Sequence, residues 1–273
     1  MGSSSDAKSL NRLREIVVAE SGIQLGNEKD QLVLTRIGRL LRRLGHETLE
    51  AYLAHVETDR TGAARSDLVD AVTTNVTSFF REPHHFQHLA KLAASEWQAE
   101  RHPEPIRIWS SACSSGQEPY SILMALERQL GEAELRRYLV LATDLSKRML
   151  VRCQRAVYPE REIQPIPPID RQRWLSPIPG SNSYRVSPAL QQRVRFRHLN
   201  LLGSWPMKRS FDAIFCRNVL IYFDRPTQER VVKRFHERLA PGGYLYIGHS
   251  ESLSGFANDF EFIAPTIYRR KSA

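Results

Sequence analysis

Between residues 8 and 72 apolar residues recur at steps of three and four in four runs, Leu10 to Glu20, Asp30 to Leu44, Thr48 to Glu57 and Arg65 to Val72. Steps of that size gather them on one face of a helix. Gly22, Gly45 and Gly62 punctuate the runs, so the pattern predicts a small all-helical amino-terminal domain. Beyond residue 105 the pattern changes to short apolar runs alternating with helical ones. Ile106 to Trp109, Tyr138 to Asp144, Val194 to Leu199, Phe211 to Cys216 and Tyr244 to Gly248 read as buried strands. A helix is expected from Pro226 to Leu239, ended by the turn Pro241-Gly242-Gly243. Strands and helices in alternation imply a doubly wound α/β sheet, whose ligands bind beyond the carboxyl ends of the strands. Residues 157–190 interrupt that rhythm with six prolines from Pro159 to Pro179, the turn-like Pro179 to Asn182, and short runs at Arg173 to Leu175 and Ser183 to Val186. They predict a small insertion built on a β-hairpin. The expected organisation is an all-α domain over 1–82, a connecting helix and linker over 83–104, and an α/β domain over 105–273 with the insertion near 157–190.

Within the α/β part, Ile106 to Leu130 combines a strand, a loop and a helix. Ser110 to Gly116 contains only Ser, Ala, Cys and Gly, so backbone amides there can approach a ligand closely. Pro119 suits a first helical turn, whose free N–H groups favour a carboxylate or phosphate. Neither the G-x-G-x-x-G spacing nor a G-K-[ST] ending is present, so the loop alone does not separate a nucleotide-like ligand from ordinary packing. Asp144, ending the second strand, is either a ribose-binding acid or the cap of the following helix. Thr73 to Glu82, TTNVTSFFRE, either packs between domains or contributes to a site. On the helix expected from Pro83 to about Arg101, His84, His85 and His88 lack acidic or cysteine partners at metal spacing and read as surface histidines.

The net charge of +9 is uneven: residues 146–209 hold thirteen Lys/Arg against three Asp/Glu. This basic excess fits an acidic protein, a nucleic acid or a merely solvated surface. A second cluster, Arg36, Arg39, Arg42 and Arg43, lies on the second helix with no acid among it. Its face either docks an acidic helical partner or is solvated, while Leu34, Ile37, Leu40, Leu41 and Leu44 are expected to face the core. Three cysteines far apart in sequence, Cys113, Cys153 and Cys216, imply a reducing compartment with neither disulfides nor a zinc site. No run of eighteen apolar residues occurs and MGSSSDAKS has no apolar signal core, so neither export nor membrane insertion is expected.

Five stretches in one order, TTNVTSFFRE, SSGQEPYS, ATD, FDAIFCRNVLIYFD and LAPGGYLYIGHSE, make the chain from about Leu10 to Arg269 resemble the chemotaxis receptor glutamate methyltransferase (CheR) family. The resemblance implies a class I, Rossmann-like fold dependent on S-adenosylmethionine, with S-adenosylhomocysteine as product and no metal. It implies γ-methyl esterification of glutamates in the cytoplasmic helical region of methyl-accepting receptors by a cytoplasmic monomer recruited to receptor arrays. By position, Asn75, Thr77 and Arg81 match residues lining the cofactor and transfer site. Glu118 matches the acid at the cofactor's methionine end and Asp144 the ribose acid. Asn200 and Leu201 match positions beside the adenine, and Arg217, Asn218 and Tyr222 match the segment facing the sulfonium. Arg81 and Tyr222 are the expected catalytic residues, and Arg36, Arg39, Arg42 and Arg43 the expected docking face. Two departures stand out: Gln117 where relatives often carry Glu, and the short PIPGSNSYRV where relatives that grip a receptor carboxyl-terminal pentapeptide have a longer loop.

Three alternatives are weighed beside that reading. One is methylation of another acidic protein. Another is methylation of nucleic acid, against which Arg217-Asn218-Val219-Leu220 stands where amino-directed base methylases carry Asp/Asn-Pro-Pro-aromatic. The third is a non-catalytic module that senses the cofactor. Cys216, inside an apolar strand, is not expected to act as a nucleophile.

Overall fold

The structure is a computed structural model that describes residues 4–99, 104–256 and 259–271. It begins with helices α1 (Ser4–Ser21), α2 (Asp30–Leu44), α3 (Leu49–Thr58) and α4 (Ala63–Val72). Leu13, Val17, Val33, Ile37, Leu53, Val56 and Leu68 are buried between them, as the three- and four-residue spacing requires. Gly45 ends α2 in the left-handed conformation, and Thr48 caps α3 by accepting the Ala51 amide at 3.2 Å. Leu34 and Leu44 do not reach the core and are 46% and 37% exposed. Leu34 follows Val33 by about 100° of rotation, which carries it off the buried stripe of Val33, Ile37 and Leu40; Leu44 is the last residue of the helix.

After residues 73–82 come α5 (Pro83–Ala94) and α6 (Glu96–Ala99), separated by a break at Ser95. The expected end near Arg101 lies outside the described residues. Phe86, Leu89 and Leu92 of α5 are buried in one apolar cluster with Leu123 and Leu126 of α7 (Gln117–Leu130). Two of the histidines expected at the surface, His85 and His88, are held inside by distant partners. His85 is fully buried with Nε2 2.8 Å from Thr266 Oγ1, and His88 Nδ1 is 2.9 Å from Tyr246 Oη. Sequence spacing offered no sign of these partners, which lie more than 150 residues away.

The main sheet takes β1 (Ile106–Ser110), then α7 and α8 (Glu132–Leu135), then β2 (Tyr138–Asp144) and α9 (Lys147–Arg155). Next comes an insertion of β3 (Val157–Pro159), α10 (Glu160–Ile163), α11 (Pro168–Trp174), β4 (Leu175–Pro177), β5 (Ser183–Val186) and α12 (Pro188–Gln191). β6 (Val194–His198), β7 (Phe211–Cys216), α13 (Arg225–Arg238), β8 (Leu239–Ile247), β9 (Phe260–Ala264) and β10 (Ile267–Arg270) complete the chain. Seven strands lie in the order β6-β2-β1-β7-β8-β10-β9, with β10 antiparallel to both neighbours and the five strands from β6 to β8 parallel. β1 lies at the middle of the parallel strands and is buried at four of five positions, which is why it reads as a continuous apolar run.

Three details differ from the sequence reading. The insertion is a three-stranded antiparallel sheet, β3-β5-β4, and Arg173 belongs to α11 rather than to a strand. The Pro241-Gly242-Gly243 segment does not end a helix. It bulges within β8, so that the partners of Phe211 and Ala213 jump from Leu239 to Tyr244. Gly243 has no room for a side chain, because a Cβ would lie 2.9 Å from the Ala240 carbonyl oxygen. Finally, β9 and β10 form a closing hairpin that the sequence reading did not expect.

Two apolar clusters flank the sheet. One joins α5, α7 and the insertion. The other joins the amino-terminal helices to α13 and the opposite sheet face through Trp109, Ile214, Phe235 and Ile247. The carboxyl ends of β1, β2 and β7 therefore meet the end of α1 and the 73–82 segment.

Candidate active site

A cleft opens at that meeting point. All ten residues expected at a cofactor or transfer site line it: Asn75, Thr77, Arg81, Glu118, Asp144, Asn200, Leu201, Arg217, Asn218 and Tyr222. Ser21, the last residue of α1, Ile23 just beyond it, and Phe223 also line it without having been expected there, as do Ser111 and Ser114 of the loop expected to approach a ligand. Ser111 and Ser114 fall within the small-residue loop. Ser21 and Ile23 carried no signal, since only folding brings the end of α1 over the sheet.

The segment 73–82 contacts both parts of the chain and lines the cleft: Thr74 Oγ1 accepts from Arg36 of α2 at 3.2 Å. Phe79 is buried edge-on against Tyr158, with ring centroids 4.9 Å apart, while Asn75, Thr77 and Arg81 line the cleft. Arg81 donates from Nη1 to the Val76 carbonyl at 2.9 Å, which anchors one edge of its guanidinium. Phe80, Glu82, Ser114 and Asn218 all adopt left-handed backbone conformations, at φ of 51°, 56°, 47° and 59°. Non-glycine residues seldom do so, and such strain concentrates at functional sites.

Glu118 and Asp144 are held in different ways. Glu118 accepts from Ser110 Oγ at 2.7 Å and from Arg217 Nη1 at 3.0 Å. A carboxylate offers about four acceptor positions, so further donors can be taken. Asp144 accepts the Ser114 amide at 2.7 Å and the Ser146 amide at 2.8 Å. Burial raises its carboxyl to about 6 even against these amides. The helix-cap reading is excluded by α9 itself: its cap is Ser146, whose Oγ accepts the Met149 amide at 3.1 Å.

Arg217 joins three parts of the site. Its Nη1 pairs with Glu118, its Nη2 lies 3.2 Å from Glu82 Oε2 without hydrogen-bond geometry, and its Nη2 also donates to the Arg81 carbonyl. The guanidinium carbon stands 5.5 Å over the Phe86 ring, and the side chain is almost fully buried. Burial alone would raise the Glu82 carboxyl, but Arg217, the His249 amide and Asn218 outweigh it and hold it below its usual range. His85, beside them, is driven down to about 2 by burial and by the Arg217 charge, and stays neutral.

The loop after β7 is fixed by Glu251, which the sequence reading overlooked although it ends the quoted stretch LAPGGYLYIGHSE. Its carboxylate accepts the amides of Gly248, Asn218, Val219 and Ile221 at 2.5, 3.0, 2.7 and 3.3 Å. Burial raises its carboxyl, with these amides opposing. Gly248 must be glycine for this approach: a Cβ there would lie 2.7 Å from the Asn218 amide nitrogen. Tyr222 sits on the 3₁₀ turn Leu220–Tyr222, its carbonyl accepting the Gln24 amide at 2.8 Å. Among the described residues its hydroxyl makes no hydrogen bond. Asn200 reaches the amino-terminal helices, donating Nδ2 to the Glu20 carbonyl at 2.6 Å.

Some expected residues act elsewhere. Gln117 turns away from the cleft, bonding Ser115 at 2.8 Å and Glu162 at 3.0 Å, so this departure leaves the lining unchanged. Arg36 does not belong to a free outward face. Its Nη1 donates to the carbonyls of Val72 and Thr73 at 2.7 and 3.2 Å, satisfying groups exposed by the end of α4. Arg39, Arg42 and Arg43 remain exposed, Arg43 pairing with Asp67 at 3.2 Å. The basic excess of 146–209 is partly internal: Arg152 pairs with Glu162, Arg173 with Glu127, and Arg193 donates to the Arg136 carbonyl. Cys113 and Cys153, distant in sequence, are neighbours with sulfurs 4.0 Å apart. Cys216 is buried, and burial pushes its thiol well up. Among the described residues no group of three or more His, Cys, Asp and Glu could hold a metal ion, and no helix is long and apolar enough to cross a membrane.

The donor set, two carboxylates with amide and hydroxyl groups at the strand ends of a doubly wound sheet, fits a ligand carrying an ammonium and a diol. Comparison with known proteins agrees. Residues 75–269 match the family profile described as the CheR methyltransferase SAM binding domain, and residues 8–73 match the CheR methyltransferase all-alpha domain. The probable chemotaxis protein methyltransferase of Rhizobium etli is 38% identical over 258 residues, covering 93% of this chain and 96% of that protein. The chemotaxis protein methyltransferase of Klebsiella aerogenes is 40% identical over 260 residues, 94% and 87% of the two chains. That of Escherichia coli is 37% identical over 260 residues, 94% and 88%.

Proposed function

The chain belongs to the CheR methyltransferase family, whose α/β domain binds S-adenosylmethionine, and from that premise we propose that it esterifies glutamate side chains of methyl-accepting chemotaxis receptors. The observation that carries this reading is the convergence of Glu118, Asp144, Arg81 and Tyr222 on one cleft. Glu118 takes the ammonium of the donor's methionine end and Asp144 the ribose hydroxyls, with Asn200 and Leu201 beside the adenine. When bound, S-adenosylmethionine supplies an electrophilic methyl group on a sulfonium.

The chain's own residues then have a limited task. A glutamate has an ordinary pKa of about 4.3 and is already ionised at neutral pH, so no general base is required. Its carboxylate oxygen forms the new C–O bond as the C–S bond breaks. What the site must add is alignment of the incoming oxygen and exclusion of water. Arg81, with one edge tied to Val76, presents the rest of its planar fork to orient that carboxylate without holding it tightly. Tyr222 contributes alignment from the turn after β7. Docking uses the exposed arginines Arg39 and Arg42 against an acidic receptor helix, in the cytoplasm and by a monomer, and adjusts chemotactic signalling.

Arg81→Ala should lower the rate of methyl transfer by about 10- to 100-fold, the scale of a lost orienting contact, while cofactor affinity changes much less. Steady-state transfer beside calorimetric cofactor binding separates the two, and transfer at the wild-type rate would remove Arg81 from its role. The reading itself is tested with labelled methyl donor and receptor cytoplasmic fragments, followed by peptide mapping. Label on glutamate that mild base releases is expected; base-stable label, or label on nucleic acid, contradicts it.

A further inference from the structure

Beside the donor cleft runs a groove lined by Arg36, Arg39 and Arg43 of α2, Asp67 and Asp70 of α4, and Arg148 of α9. Thr73 and Asn75 line both the groove and the cleft, so the two adjoin. Four arginines face two aspartates there, and two of the arginines are already engaged: Arg43 with Asp67, Arg36 with backbone carbonyls. Arg39 and Arg148 are exposed and, among the described residues, make no ion pair or hydrogen bond.

Arg148 is held in place by its surroundings even though its head is free. Ser146 caps α9 and sets the helix direction, Met149 and Leu150 turn inward, and Lys147 and Arg148 stay in solvent on the first turn. That turn begins immediately after Asp144 and Leu145, both of which line the donor cleft. Arg148 itself does not line the cleft, so it has no part in holding the cofactor. Two cations without an ion pair, Arg39 and Arg148, on different helices, thus border one groove that adjoins the transfer site. A helix carrying carboxylates along one face is complementary in charge to both.

We infer that Arg148 is a substrate-positioning residue: with Arg39 it seats an acidic receptor helix along the groove, so that the glutamate to be methylated enters the cleft past Asn75. This rests on the receptor reading above and adds the α/β domain to a docking surface otherwise assigned to α2.

The test uses the full chain, receptor cytoplasmic fragment as substrate, and KM and kcat measured from low to high salt. Arg148→Glu should raise the receptor KM roughly fivefold at low salt, with kcat and cofactor affinity unchanged, and the difference should shrink as salt screens the contact. Arg148→Lys should keep most of the wild-type KM, since a charge is retained. Melting temperature should not move, because Arg148 has no partner within the fold. Arg39→Glu, run alongside, reports on the α2 side of the groove. If Arg39→Glu raises KM while Arg148→Glu leaves KM and its salt slope at wild type, docking is confined to α2 and the inference is wrong. A KM rise matched by a fall in melting temperature overturns it too. Absence of methyl transfer by the wild-type chain to any receptor fragment removes the receptor reading, and the inference with it.

Discussion

Arg217→Ala should lower the melting temperature by about 10 °C. Among the described residues the guanidinium is the cation paired with two largely buried carboxylates, Glu82 at 3.2 Å and Glu118 at 3.0 Å. Removing it leaves both without their counter-charge, and breaking a buried pair from one side costs about 3–5 kcal/mol. In a domain of this size each kcal/mol shifts the midpoint by about 2–4 °C. The pH dependence should also weaken. In the wild type the Glu82 carboxyl lies below its unfolded value, so its contribution is present above the unfolded pKa and fades as pH falls through the folded one. Without Arg217 burial is opposed only by the His249 amide and Asn218, so the folded pKa rises toward the unfolded value and less stability is lost on acidification. Thermal melts of wild type and Arg217→Ala between pH 4 and pH 8 check both points. Adding Glu82→Gln to the variant should recover part of the loss. An unchanged midpoint would show that the three charges are solvated in solution and do not act as a unit.

Asp144→Ala should weaken S-adenosylmethionine binding by about 100-fold or more. In the proposed site the carboxylate accepts both ribose hydroxyls, and each hydrogen bond to a charged group is worth about 1.5–3 kcal/mol. The substitution also frees the Ser114 and Ser146 amides, loosening the donor loop from α9. Asp144→Asn keeps one acceptor and should fall between the two. Because burial holds this carboxyl at about 6, the empty site loses its acceptor charge as pH falls through that value. Cofactor affinity should therefore be flat above pH about 7 and decline below about 6, and the decline should be absent in Asp144→Asn. Calorimetric titration across that range measures it; equal affinity in wild type and Asp144→Ala would reassign the ribose site.

Much of the site was legible because its residues cluster in short stretches whose chemistry is local. The small-residue loop, the acid at the end of β2 and the arginine-asparagine pair after β7 each report a strand end, and strand ends of a parallel sheet gather on one side. Arg36 shows where that legibility stops. Its place in a run of arginines made it one of a set, yet the neighbouring end of α4 captures it with two carbonyls. The α5 histidines failed for the same reason, since Thr266 and Tyr246 become their neighbours only through the closing hairpin and β8. That hairpin is weakly marked because Phe262 and Ile263 on β9 face outward, which blurs the buried alternation by which strands are recognised.

The sequence by itself determined the two kinds of architecture, the order of the parallel strands' elements along the chain, and a set of residues that line one cleft. Periodicity and composition are properties of neighbouring residues and survive without the fold. Only the tertiary structure decided that Arg217 is shared between Glu82 and Glu118, that Glu251 fixes the loop after β7, that the end of α1 covers the cleft, and that Arg148 shares a groove with α2. Each of these couples residues far apart in the chain, and packing around the sheet, which no local pattern encodes, sets which of the possible partners meet.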